Sequence, residues 1–221
     1  MKAVLAAIDA RKASFEKGAL FQLLEGSATT ADVATLAREV TLFPLVFQDV
    51  LRLNEGRIRD PRLKRLAQTH RREDGGHERW FLSDMKRLSV EPDLEWAFGR
   101  HHEATRDACY AVAAEVFRDL DDALRLVILL VLESTGDAFF SRAHGFIESA
   151  GLGADLKYLS RLHWNVEQAH DIFGNSASDL EAMELSDPVR RDALALVDRM
   201  FGTMEHMVDH VHGRIQANRA A

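Results

Sequence analysis

With one cysteine, Cys109, the chain can form no internal disulfide, and a reducing compartment is the natural inference. Basic residues are in short supply, 28 Lys and Arg against 35 Asp and Glu, for a formal charge of -7. The clustered cations on which phosphate binding relies are missing, so a nucleic-acid-binding role is excluded. No apolar run approaches the ~20 residues that span a bilayer. The opening MKAVLAAIDARKASF reaches Asp9, Arg11 and Lys12 before a signal-peptide core develops. No stretch alternates apolar and polar residues between hairpin turns. These absences lead to the expectation of a soluble, cytoplasmic, all-α protein. A length of 221 residues with 47% hydrophobic content suits one large core, hence a single domain over residues 1–221.

What is present is helical periodicity from end to end. The first helix is expected over residues 3–25, with Gly26 as a stop, and a cap at Thr29–Asp32 opens a second whose apolar stripe runs to Val50. Pro44 should kink or split that second helix. A third helix is expected from Pro61 to Leu88, a fourth from Leu94 to Phe117, and a fifth from Asp121 to Ala150. Within the fifth, residues 126–132 are apolar all round, which places it at the centre of a bundle. A sixth should occupy Ala154 to Phe173, and a last begins at Asp187-Pro188. Its Met200, Met204 and Met207 suit a core or a partner surface such as a homodimer.

Three patterns carry chemistry. In His163-x3-Glu167-x2-His170, each residue advances about 100°, so all three side chains share one narrow face. Neutral imidazoles and a carboxylate are the mixture that a borderline transition metal takes. On the third helix, His70, Glu73, Asp74 and His77 form a polar block between apolar residues of the same stripe. Burying such groups costs a few kcal/mol each unless they find one another, water or a metal. Glu133 closes the apolar run of the fifth helix, where a carboxylate must be neutral, paired or metal-bound. Its alternative partner is Arg142, and Asp137 one turn on is a hydrogen-bonding neighbour. The competing expectation from the same residues is a metal-free bundle in which the polar block is a buried hydrogen-bond network. His101-His102 and the His206, His210 and His212 set are expected on solvated surfaces.

The order His-x6-His, a buried Glu, then His-x3-Glu-x2-His resembles the heme-oxygenase-like diiron oxidase and oxygenase superfamily, whose pattern is Glu-x6-His, a central Glu, and His-x3-Asp-x2-His. The resemblance covers residues 60–175 in motif order and the whole chain in helical layout. It implies a seven-helix bundle holding two iron ions, with manganese as the alternative, through His77, Glu133, His163, Glu167 and His170. It also implies activation of dioxygen to oxidise a small organic substrate, of amino-acid or fatty-acid origin in this family. Two departures stand out: His70 occupies the position of the family's first glutamate, and Glu167 that of its aspartate. The first leaves Glu73, Asp74 or Glu39 from the second helix to supply the missing carboxylate. Heme binding is disfavoured because no histidine precedes His70. A cysteine-nucleophile relative is disfavoured because only Cys109 is available. A ferritin-like carboxylate site wants two Glu-x-x-His segments, and only Glu167 to His170 supplies one. Trp80, Phe81, Phe139, Phe140 and Trp164 are the expected walls of the substrate pocket.

Overall fold

Glycine and proline decide where the helices break. In the computed structural model, which describes residues 1–91, 93–169 and 177–221, the expected first helix is two, α1 (Lys2–Phe15) and α2 (Ala19–Leu24). Gly18 joins them where a Cβ would sit 3.1 Å from the Phe15 carbonyl, so a side chain there would crowd the turn. The second expected helix divides into α3 (Thr30–Val40) and α4 (Leu42–Arg57). Pro44 has no N–H and its ring collides with the carbonyl four residues back, so it is tolerated only within the first turn of a new helix.

The third expected helix also divides, into α5 (Pro61–Glu73) and α6 (His77–Arg87). Asp60 caps α5 by accepting from the amides of Arg62 and Leu63, and Pro61 stands at the first turn where no N–H is needed. Gly76 has φ 101°, a left-handed conformation open to glycine and strained for L side chains. The fourth expected helix is a short α7 (Leu94–Phe98), a 3₁₀ turn over Arg100–His102 and α8 (Glu103–Phe117). Then come α9 (Asp122–Ser149), α10 (Arg161–Ala169), α11 (Ala177–Glu181) and α12 (Asp187–Arg219). No strand occurs among the described residues, so the all-α expectation holds. No helix among them is long and apolar enough to cross a membrane.

As its all-round apolar sequence implies, α9 lies at the centre, in contact with α12, α1, α10, α2 and α5. Leu126, Val127, Ile128, Leu129 and Val131 are all at most 1% exposed. At roughly 1.5–3 kcal/mol for each large side chain buried, this helix anchors the core. Along α12, Leu196, Met200, Met204, Met207 and Val211 are buried in the same cluster. The methionines therefore belong to the core, and a homodimer gains no methionine-lined face from them.

The two ends of the bundle are tied by Asp32. Its carboxylate completes a capping box with Thr29 at the start of α3 and meets the Arg219 guanidinium at 2.9 Å and 3.1 Å from the end of α12. Burial works against the ionised form, but the Arg219 and Thr29 hydrogen bonds prevail and hold the carboxyl below its ordinary range. A depressed folded-state pKa stabilises the fold above the unfolded-state value and is lost as pH falls through the folded value. Asp32→Ala should lower stability by about 1–3 kcal/mol at neutral pH, with the deficit shrinking under strongly acid conditions, as read by urea denaturation across a pH series.

Candidate metal centre

Two triads of side chains converge inside the bundle. In the first, the Nε2 of His70 lies 2.5 Å from the Oε1 of Glu133 and 2.8 Å from the Oδ2 of Asp74. In the second, the Nε2 of His163 lies 2.7 Å from the Oε1 of Glu167 and 3.2 Å from the Nδ1 of His77. Within each triad one donor atom per residue falls within 4.8 Å of the others. His70, Asp74, His77 and His163 are buried, and Glu133 and Glu167 keep partial access to the cavity that both line.

Asp74 links the two triads. It is the C-cap of α5, and the left-handed turn at Gly76 starts α6 with His77 as its first residue. A continuous helix would carry His70 and His77 about 10 Å apart along its axis. With the helix broken, one carboxylate serves both: Oδ2 faces His70, and Oδ1 lies 3.4 Å from the Nδ1 of His77. Of the acids that the sequence offered, Asp74 is the one that meets both histidines of the polar block. Glu73 enters neither triad, because one residue's step of about 100° turns it to a different face. Glu39 is also elsewhere, as shown below. His170 lies outside the described residues.

The second triad is set from beneath by Asp84, which is fully buried in α6 and accepts from the amides of Lys157 at 2.7 Å and Leu159 at 2.9 Å. Those bonds fold residues 157–159 into the turn that precedes α10, so that helix starts at Arg161 instead of near Ala154. Burial raises the carboxyl of Asp84 despite the two amides. The same turn presents the Tyr158 carbonyl 2.8 Å from the Nδ1 of His163. That nitrogen donates its proton to the carbonyl, which fixes the tautomer and aims the Nε2 lone pair at Glu167 and His77.

The donor chemistry calls for a cation. An Nε2 lone pair facing a carboxylate oxygen at 2.7 Å is repulsive unless a second proton or a metal ion stands between them. Metal bonds of about 2.1 Å at octahedral or tetrahedral angles set donor atoms about 3.0–3.4 Å apart. The spacings of 3.2 Å and 3.4 Å around His77 fall in that range, and the 2.5–2.8 Å spacings are hydrogen-bond distances that an ion would widen by a few tenths of an ångström. Three imidazoles and three carboxylates suit a borderline metal. In the ion-free protein a proton fills this role at the first triad. There burial opposes the imidazolium of His70, but the Glu133 and Asp74 carboxylates outweigh it and push His70 up to about 10. Asp74 is held well below the ordinary carboxylate range by His70 and His77 against the effect of burial, whereas burial raises Glu133.

Both triads open on an apolar cavity of about 140 Å³ lined by residues of α1, α2, α3, α4, α6, α9, α10 and α12. Phe139 and Phe140 line it as expected. Phe81 is instead fully buried core, Trp80 lies against the His77 ring at 4.9 Å outside the cavity wall, and Trp164 stacks on His144. Sequence periodicity missed Phe43, Phe47 and Tyr158, which do line it. The Tyr158 phenol is pushed up by burial and by Glu167, Asp74 and Asp84. Arg142 pairs with Glu16 and Glu25, leaving Glu133 to His70. Asp137 turns to Lys12 and Gln168 and thereby ties α1, α9 and α10 together.

A separate buried network absorbs the remaining histidine expectations. Glu39, 1% exposed, receives the Arg214 guanidinium at 3.2 Å and has His102 and His210 each at 3.4 Å. His102 is fully buried, contrary to the solvated position expected of it, and burial lowers its pKa. The His210 ring donates to the His101 carbonyl at 2.8 Å, so it clamps α12 to the 3₁₀ turn. His206 is exposed, as expected. Cys109 is buried with its thiol pushed up to about 12 by desolvation, which leaves it without nucleophilic character.

No protein-family model matches the chain, and no curated protein matches it. Two expected outcomes separate the centre from its supports. Asp84→Asn sets an amide group against a backbone N–H and should destabilise the fold by about 1–3 kcal/mol by chemical denaturation. Glu39→Ala should cost about 3–5 kcal/mol by leaving buried partners uncompensated, while the stoichiometry of bound divalent metal, read by elemental analysis, stays that of the unmodified protein.

Proposed function

We propose that the protein is a non-heme iron enzyme, an oxidase or oxygenase of the heme-oxygenase-like diiron kind, acting with dioxygen on a small apolar organic substrate. The observation that carries this reading is the Asp74 carboxylate, with one oxygen turned to each of two His-and-carboxylate triads beside an apolar cavity. His70, Asp74 and Glu133 would hold one ion, and His77, His163 and Glu167 the other, with Asp74 shared. Bound ferrous iron supplies the reduction of dioxygen and the oxidising power that such centres deliver to a neighbouring molecule.

The chain's own residues supply the setting. The Tyr158 carbonyl takes the hydrogen bond of the Nδ1 of His163 and so aims the Nε2 at the site, and Asp84 keeps that carbonyl in place. Three carboxylates would offset three of the four positive charges of two divalent ions in a largely buried site, where electrostatic interactions strengthen. Phe139, Phe140 and the phenylalanines of α4 shape an apolar space against the triads and hold a substrate in contact range. Without an ion, the protonated His70 joins Glu133 and Asp74 in a hydrogen-bonded set.

That protonated state also supports a second reading, a metal-free bundle in which His70, Asp74 and Glu133 satisfy one another. Anaerobic titration with ferrous iron separates the two. The iron reading expects about two equivalents bound per chain, with His163→Ala and Glu133→Ala each abolishing at least one equivalent while helix content by circular dichroism is kept. Dioxygen uptake should follow when the ferrous-loaded protein is exposed to air. Less than one equivalent bound, unchanged in both variants, would decide for the metal-free bundle.

A further inference from the structure

We propose that Gly136 is the specificity-determining position of this centre: the side chain it lacks is the space beside the two triads in which the reacting part of an apolar substrate sits. This rests on the iron reading above. Gly136 stands on α9 between two residues that each touch a triad. About 4.5 Å back along the axis is Glu133, whose carboxylate meets His70, and about 6 Å forward is Phe140, whose ring lies 4.3 Å from that of His163. Glu133, Gly136 and Phe140 share one face of the helix, and all three line the cavity.

Nothing in the backbone or the packing requires a glycine there. No heavy atom lies within 4 Å of the Cβ that another residue would carry, and φ is not in the left-handed region. Gly18 and Gly99 are different, with backbone oxygens 3.1 Å and 3.0 Å from such a Cβ. Helix preference favours alanine at an interior position, so the local physics argues against the residue found. Four other helical glycines, Gly56, Gly145, Gly202 and Gly213, also have open space at this point, but all four are exposed at the surface. Gly136 opens on the internal cavity, and its empty side-chain volume is continuous with the space that the triads face.

The walls around it indicate what fits. Met204, Met207, Val208 and Val211 of α12 line the cavity with apolar side chains, and no lysine or arginine is among the lining residues. An anionic body would find no fixed cation apart from the metals themselves. The ligand's body is therefore neutral, apolar and narrow enough to pass the notch at Gly136, with any metal-binding head turned to the triads.

The test uses the full chain and straight-chain primary alcohols, 1-hexanol to 1-dodecanol, titrated by calorimetry under anaerobic conditions with and without ferrous iron. Affinity should rise roughly fourfold per methylene until the cavity is full. Gly136→Leu should lower it at least tenfold, with bound iron unchanged, and Gly145→Leu on the outer surface of the same helix should leave it unaltered. If Gly136→Leu does not fold, Gly136→Ala decides, since its methyl meets nothing. The longest alcohol accommodated should then shorten by about one methylene. Unchanged affinity in the Gly136 variants, an equal loss in Gly145→Leu, or no alcohol binding by the unmodified protein would overturn the proposal. Alcohol binding that depends on Gly136 in a protein that takes up no iron would overturn the iron reading alone.

Discussion

A single carboxylate spans a break between two helices, and the rest of the centre is arranged around it. Asp74 can face both His70 and His77 because Gly75-Gly76 ends α5 and the left-handed Gly76 restarts the chain as α6. Without the break, the two imidazoles would stand about two turns apart on one rod, beyond the span of one carboxylate. The glycine pair thus has a geometric purpose: its cost in helix propensity is exchanged for a bend that folds the polar block onto itself.

The surrounding bundle makes this arrangement tolerable. Buried charges are costly unless matched, and here every ionisable group of the two triads faces at least one of opposite sign or complementary hydrogen-bonding character. Support comes from outside the triads as well. Asp84 reaches from α6 to two amides of the turn before α10, so His163 is oriented by the neighbour of its own partner His77. The two halves of the centre are in this way mechanically coupled through α6. Core residues of α12 line the cavity, and the Asp32–Arg219 and Glu39–Arg214 pairs fix α12 against α3.

Much of the centre was legible in sequence because it follows helical arithmetic. His163 and Glu167 are four apart and do meet; the polar block of residues 70–77 interrupts an apolar stripe and is indeed buried; Glu133 ends the apolar run and does find a partner. Less legible was the choice between neighbours. Glu73 and Asp74 are adjacent and chemically alike, and a rotation of about 100° decides which of them faces inward. That rotation depends on where α5 ends, a matter of tertiary packing. Glu39 looked available to the centre as an acid of the second expected helix, but α3 lies against α12, and its acid is taken by Arg214 and two histidines. Arg142 was similarly claimed by Glu16 and Glu25. Trp164 sits beside His163 in sequence, yet successive helix positions point in different directions, and it stacks on His144 instead of lining the cavity.

Composition and periodicity by themselves determined that the chain is helical, that α9 is central, and that histidines and carboxylates are carried to the interior on three stretches of chain. Those properties are local, set by 3.6-residue repeats and by which residues water rejects. Only the tertiary structure decided which carboxylate bridges, where the expected helices divide, which aromatics wall the cavity, and that the space beside the triads is left open by a glycine. Each of those depends on contacts between residues far apart in the chain, and the direction in which a helix turns its faces is fixed by what packs against it.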